Sequence, residues 1–402
     1  MILFNKPLSV SILPTILILI TITVIGCKNK TEPCQNIKLE TISIDNSQFE
    51  KITDASSFID TDEFEFIPIE TSDSCLIGQI TKVYLRKNKI IIYDEREKQA
   101  VILNRDGSYH AKVHAIGKGL GEYPPVVNDI VVTDTKIGVL TPMIGKILFY
   151  DFDGKYIEDI SILGSWGHTF FSFDEKTYYL VNDWSTSSKG NNHLYRIKKN
   201  KNDMESFLPF NEKETNRGWG LKNYYSKIDN HALLLYSSID TIFSVTPNSK
   251  IEPKYYVDIK NKKLPDIFRI GDGYIALETA SSNDYITGIN KINESSNYLI
   301  LNTSDSKYIL YDKNTKQVKF YSESFNIPSW GNYTFGFNTT FVEGDAIIFY
   351  LEANLIQFAL KDVVLKTNYE NKRYEQKLKN ALNKIKSETD NPVLFLTRFK
   401  NK

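Results

Sequence analysis

The first group in the chain that can do chemistry is Cys27. It closes the order Val24-Ile25-Gly26-Cys27, behind a run from Leu8 to Ile25 that carries no charge and follows Lys6. A short basic start, an apolar stretch and a small residue before cysteine mark the precursor of an exported lipoprotein. Gly26 lets a signal peptidase approach the backbone, and the Cys27 thiol is the group that would take up the diacylglycerol. The run is about long enough to span a bilayer as a plain anchor, but Pro14 inside it and Cys27 at its end favour cleavage. Residues 1–26 therefore read as a signal peptide and 27–45 as a lipidated tether, opening with the polar Lys28-Asn29-Lys30-Thr31-Glu32-Pro33. Position 28 lacks the aspartate of inner-membrane retention, and no acidic surface-display run follows. The expectation is an outer-membrane lipoprotein facing the periplasm, with display at the cell surface as the alternative.

The remaining chemistry-bearing types do not assemble into a catalytic signature. His110 and His114 are four apart in a segment that reads as a strand, with no third ligand nearby, and His168, His193 and His231 stand alone. No Gly-x-Ser-x-Gly elbow and no Ser-His-Asp order occur. Glu63 with Glu65, and Glu95 with Glu97, look like solvent-facing alternation. Gly117-Lys118-Gly119-Leu120-Gly121 resembles a phosphate loop only until Pro124-Pro125, which forbids the helix that a dinucleotide fingerprint needs. Those glycines are expected to permit a sharp connection instead. No catalytic residue, metal site or cofactor is assigned. Cys34 and Cys75 are left once Cys27 is lipidated, and an oxidising compartment permits their disulfide.

Tryptophan is the suggestive type. Four occur, each beside turn residues: Ser165-Trp166-Gly167-His168, Asp183-Trp184-Ser185, Gly218-Trp219-Gly220 and Ser329-Trp330-Gly331-Asn332. Indoles on loops at one end of a domain can stack sugars or grip a peptide. Trp166, His168, Trp184, Trp219 and Trp330 are therefore the candidate ligand-binding residues. The competing reading is that each indole simply packs the end of its sheet. The polar loop from Ser185 to Asn192 is a plausible binding edge.

What must position these residues is β structure. The chain holds 24 Tyr and 23 Phe, a composition suited to pleated surfaces rather than helices. Its 49 basic and 49 acidic residues cancel, so nothing electrostatic argues for nucleic acid. A repeat organises the strands. Ala100-Val101-Ile102-Leu103-Asn104-Arg105-Asp106-Gly107-Ser108-Tyr109 parallels Ile147-Leu148-Phe149-Tyr150-Asp151-Phe152-Asp153-Gly154-Lys155-Tyr156, with an Asp-Gly turn in each. Looser copies pair 178–181 with 193–197, 232–236 with 241–245, 298–301 with 308–312, and 346–350 with 355–358. Six such pairs predict an all-β chain folded as a six-bladed β-propeller over 46–402. One short C-terminal helix is expected over about 371–387, where Tyr374, Leu378, Ala381, Leu382 and Ile385 form one stripe. A closing strand over about 393–399 is expected to complete a blade with a strand near Phe64–Ile69.

Three segments carry a family resemblance. These are Phe66-Ile67-Pro68-Ile69-Glu70-Thr71, Cys75-Leu76-Ile77-Gly78 and Ile116-Gly117-Lys118-Gly119-Leu120-Gly121-Glu122-Tyr123, and the ending from Asn391 to Lys400 joins them. Together they resemble the opening and close of the six-bladed, NHL-like β-propeller lipoproteins, with Leu120 where that family commonly has proline. The resemblance implies fold and location, and no agreed enzymatic activity. The functional expectation is a monomeric, non-catalytic binding module, held to the membrane by its lipid and facing a glycan or an envelope protein. Two alternatives stand beside it. One is a hydrolase or lyase at the channel mouth, which polar and charged residues converging from several blades would favour. The other is a structural or assembly lipoprotein without a small ligand.

Overall fold

The computed structural model describes residues 39–199, 204–215, 217–330, 334–336, 340–355 and 371–400. The signal segment, Cys27, Cys34 and the tether up to residue 38 lie outside the described residues.

The middle strands of each sheet read as unbroken apolar runs because both of their faces are covered. Lys89–Asp94 and Tyr298–Thr303 show this: after Lys89 every residue of both strands is buried. Such strands cannot satisfy their faces within one sheet, so six antiparallel sheets stand side by side around an axis. The first blade is Ile80–Arg86, Lys89–Asp94, Gln99–Asn104 and Tyr109–Val113, from the axis outward. The inner strands of the next five blades are Asp129–Val132, Thr169–Ser172, Tyr225–Ile228, Ile289–Glu294 and Thr340–Glu343. The core is a ring of interfaces between blades. Tyr84, Ile91 and Tyr93 of the first blade pack on Ile130, Val132 and Val139 of the second. The fold is a six-bladed β-propeller.

The Asp-Gly turns link the third and fourth strands of the first two blades. Gly107 sits at φ +89°, and a Cβ there would meet the Pro68 carbonyl oxygen at 2.2 Å, so only glycine fits.

The last blade is assembled from three distant parts of the chain. Val393–Arg398 pairs antiparallel with Ala346–Leu351 on one side and with Glu65–Pro68 on the other, with Phe395 opposite Phe66. The expected pairing of 346–350 with 355–358 is corrected here. Ala353–Leu355 turns helical, 356–358 lies outside the described residues, and the partner strand comes from beyond a long excursion. That excursion carries the helix Lys372–Leu382, capped by the Asn371 side chain accepting from the Tyr374 amide at 2.9 Å. Tyr374, Leu378, Ala381 and Leu382 face the apolar cluster that holds Phe64 and Phe395.

Two further N-terminal strands add to blade edges. Glu40–Asp45 runs parallel along Ile251–Lys260, and Glu50–Asp54 runs parallel along Gln317–Asn326. The tether drawn to residue 45 is therefore shorter: Ile42 and Ile44 are buried in the fourth blade's outer cluster. A second helix, Gly273–Asn283, rises between the fourth and fifth blades behind its N-cap Asp272.

Up-and-down blades sort the loops into two sets. Links between blades, and turns between second and third strands, emerge at one end, here termed the link end. The remaining turns emerge at the other, the hairpin end.

Candidate functional site

The inner strands enclose a channel of about 1220 Å³ along the axis. Each inner strand is exposed to it only along one edge, so a polar side chain there can reach water without leaving the sheet. That freedom is used. Lys82, Tyr84 and Arg86 alternate along the first inner strand and reach toward the second blade. Lys82 donates to both Asp129 oxygens at 2.8 and 2.6 Å. The Tyr84 hydroxyl donates to the Ile130 carbonyl at 3.3 Å. Arg86 donates to the Thr133 and Val132 carbonyls at 3.0 and 3.1 Å and pairs with Glu343 of the sixth blade. Burial works against the Arg86 charge, but Glu343 holds its pKa above the usual value.

Lys291 is different. It stands third in the fifth inner strand, donates to the Thr340 carbonyl at 2.8 Å, and lies 5.2 Å from the centre of the Phe341 ring. Among the described residues it has no carboxylate partner. Burial, then repulsion by Lys222 and Lys82, lowers its pKa to about 8. Tyr225 faces the same channel, and its hydroxyl has no hydrogen-bond partner among the described residues. Burial, then the carboxylates Asp129 and Glu343, raises its pKa far above that of free tyrosine. The Tyr225 ring lies against Phe171, 5.1 Å between centres.

The channel is polar along its length but not uniform. Lys82, Lys222 and Lys291 lie toward the link end, with Asp129 balancing Lys82 and Glu95 the other acid there. Asp134, Asp229, Glu294, Glu343 and Asp345 line the hairpin end, against Arg86, Lys87 and Lys227. Glu294 there is buried between Lys313 at 2.8 Å and His231 at 2.9 Å; burial opposes its charge, yet these two neighbours hold its pKa below the usual value.

The topology puts all four tryptophans at the link end, though not in one role. Trp166 is 39% exposed in the link between the second and third blades. His168, two residues on, lines the channel, stacks on Tyr224 at 5.0 Å between ring centres, and meets Ser185 at 3.3 Å. Burial lowers its pKa to about 4, so it is neutral at physiological pH. Trp184 is only 6% exposed: its indole N–H donates to the Ser237 carbonyl at 2.9 Å, and the Arg217 guanidinium lies 4.8 Å over its ring. It packs the end of the third blade and offers no open face. Trp219 is half-buried against Leu264, Ala276 and Ala280 of the helical insertion. Trp330 ends a helical turn beginning at Pro328, and its side chain lies outside the described residues.

The glycine-rich link is filled by its own acid. The Glu122 carboxylate accepts from the Gly119 amide at 2.7 Å, and a Cβ on Gly117 would strike it. An internal anion thus occupies the place a phosphate would take. His110 meets Asp153 at 2.8 Å across two blades. Among the described residues, no three histidine, cysteine or acidic groups converge as metal ligands. Cys75 is a buried thiol whose pKa burial pushes up to about 11.

Of the channel residues, His168 alone was singled out in the sequence as a ligand contact. A signal existed: the inner strands Ile80–Arg86 and Ile289–Glu294 mix charged and polar residues with apolar ones, unlike the apolar middle strands.

The sequence family described as a domain of unknown function, DUF4934, matches residues 39–398. The chain belongs to that family. None of the curated proteins matches it. Among solved structures, a Bacteroides fragilis protein described as exported superposes with a TM-score of 0.66 at 18% identity, covering 90% of this chain and all of its own. A member of the DUF4221 family from Bacteroides vulgatus gives a TM-score of 0.48 at 10% identity, covering 85% of this chain and 97% of its own. The first of these likenesses is one of fold.

Proposed function

We propose that the protein is an envelope lipoprotein, anchored through Cys27, whose propeller is a non-catalytic binding module with its ligand seated in the central channel. The observation that carries this reading is the convergence of charged and aromatic side chains from all six blades on one solvent-filled space. The half-buried Tyr225 and Phe341 supply ring faces, while Lys82, Lys291 and Asp129 supply directed polar groups. Flat apolar faces interleaved with hydrogen-bonding groups suit a saccharide. Asp129, Glu294 and Glu343 of the channel are tied to cations, which fits binding better than proton transfer. Export is supported by the Val24–Cys27 signal and by the exported protein of like fold; the residues after Cys27 support an outer-membrane anchor facing the periplasm.

The test is a thermal-shift series with neutral and acidic oligosaccharides, because a ligand of the native state raises the melting temperature by mass action. Shifts that vanish in Tyr225→Ala would support the channel. If saccharides give no shift while an envelope protein crosslinks in intact cells, an assembly role replaces this one. The anchor is tested separately, by mass spectrometry of membrane-fraction protein for diacylglycerol on Cys27.

Catalysis is the second reading, and the same convergence favours it. Lys291, with its pKa near 8, could serve as a base. The Ser185–His168 contact lacks a carboxylate on the other ring nitrogen among the described residues, so it does not form a triad. Product release from an oligosaccharide on prolonged incubation would decide for an enzyme.

A further inference from the structure

We propose that the link end of the channel is an anion-recognition site, and that the saccharide it holds is acidic, its charged group seated between Lys291 and Lys222. This rests on the reading of the channel as the ligand site and goes on to name the ligand's class.

Three observations carry it. First, three lysines at this end, Lys82, Lys222 and Lys291, face two acids, Asp129 and Glu95. Lys82 is neutralised by Asp129 at 2.6 Å, whereas neither Lys291 nor Lys222 has a carboxylate within ion-pair distance among the described residues. Second, Lys291 is only partly satisfied. One of its three N–H bonds goes to the Thr340 carbonyl and its ammonium lies over the Phe341 ring, which leaves two donors without a hydrogen-bond partner among the described residues at the channel wall. Lys291 is half-buried in the channel wall, and an ammonium partly withdrawn from water without a counter-charge gains from a ligand that supplies one. Third, the opposite end of the same channel is rimmed by Asp134, Asp229, Glu343 and Asp345. An acidic ligand therefore meets attraction at the link end and repulsion at the hairpin end, and the channel orients it. The free Tyr225 hydroxyl and the neighbouring aromatic faces supply the contacts for the neutral part of the sugar.

The burial of Lys291 also explains its lowered proton affinity, repulsion by Lys222 and Lys82 adding to it; an anion arriving there would relieve both. A carboxylate on a uronic acid and a phosphate on a sugar share the needed chemistry, and the experiment distinguishes them.

The test is isothermal titration of the purified protein with trigalacturonate and with the neutral galactotriose, and, as a second pair, with glucuronate and glucose 6-phosphate. The expectation is at least tenfold tighter binding of the acidic trimer, lost in Lys291→Met and weakened in Lys222→Met, with Lys291→Arg retaining part of it. The second pair says whether carboxylate or phosphate is the better fit; a preference for either over glucose supports the site. Lys291→Met keeps the length of the side chain and removes a half-buried, unpaired charge, so its melting temperature should not fall, and the exposed Lys222→Met gives an independent reading. Equal affinity for acidic and neutral trimers would overturn the anion site while leaving the channel as a saccharide site. Retention of the acidic preference in both variants would also overturn it. If no saccharide of either kind binds, the anion site and the channel reading fall together.

Discussion

Phe66 stacks on Phe395 with ring centres 4.7 Å apart and an interplanar angle of 16°, so the velcro that closes the ring joins residues from opposite ends of the chain. Phe395 is fully buried and also stacks on Phe349, 5.5 Å away. Removing this ring leaves a cavity at the one seam not held by chain continuity. Phe395→Ala should cost about 3–5 kcal/mol, read as a loss of stability in urea unfolding. A cost below about 1 kcal/mol would mean the seam is not where the ring is held.

The tryptophans separate by burial. Trp184→Ala removes a buried ring, its hydrogen bond to Ser237 and its stacking with Arg217, and should destabilise by about 3–5 kcal/mol. Trp166→Ala takes away a surface ring and should stay within about 0.5–1 kcal/mol. Thermal melts of the two variants check this; if Trp166→Ala unfolds the protein as readily as Trp184→Ala, its indole is a packing residue too.

The architecture was legible because it is periodic. The Asp106-Gly107 and Asp153-Gly154 turns repeat with their flanking strands, and a blade cannot bury both faces without neighbours. The seam strand at 393 was legible from its apolarity, which demands a partner. The sixth blade was misread at 355–358 because a short apolar run following Ala346–Leu351 imitates the hairpins of the other blades, while the true partner lies beyond an insertion. The helix Gly273–Asn283 escaped notice for a physical reason as well. Only Gly273, Ala276 and Ala280 of it are buried, while Tyr274 and Ile275 face outward, so no apolar stripe marks it. The channel site needed the ring: Lys82 and Asp129 are 47 residues apart, and only radial order brings them together.

That ion pair gives a sharp test of the channel's electrostatics. Asp129 is 4% exposed, and Lys82→Met strands its carboxylate beside the axis. Breaking one side of a buried pair costs about 3–5 kcal/mol, whereas replacing both sides is often close to neutral. Lys82→Met should therefore be strongly destabilised, and adding Asp129→Leu should recover most of the loss. Chemical denaturation of the single and double variants closes the cycle. A single variant as stable as the parent would show that water in the channel screens the pair.

Acid stability should be set by opposing groups at the link end. Burial holds His168 and His193 near pKa 4, below the 6.5 of a free imidazole. The unfolded chain takes up these protons first, so their contribution is present above pH 6.5 and is lost as pH falls toward 4. Asp183 runs the other way. Burial raises its pKa to about 6 despite hydrogen bonds from the Ser237 amide at 2.9 Å and hydroxyl at 2.6 Å. The folded carboxyl gains its proton before the unfolded one does, so this group adds stability as pH falls from 6 to 3.8. Two losses against one gain predict a net fall in melting temperature between pH 6.5 and 4. Asp183→Asn removes the gain and should steepen that fall, whereas His193→Phe, retaining the ring contacts with Trp184 and Tyr236, should flatten it. Melting curves of the three proteins at pH 7, 5.5 and 4.5 measure both slopes. An Asp183→Asn slope no steeper than the parent's would mean that Asp183 keeps its charge in the fold, and that the Ser237 hydrogen bonds outweigh its burial.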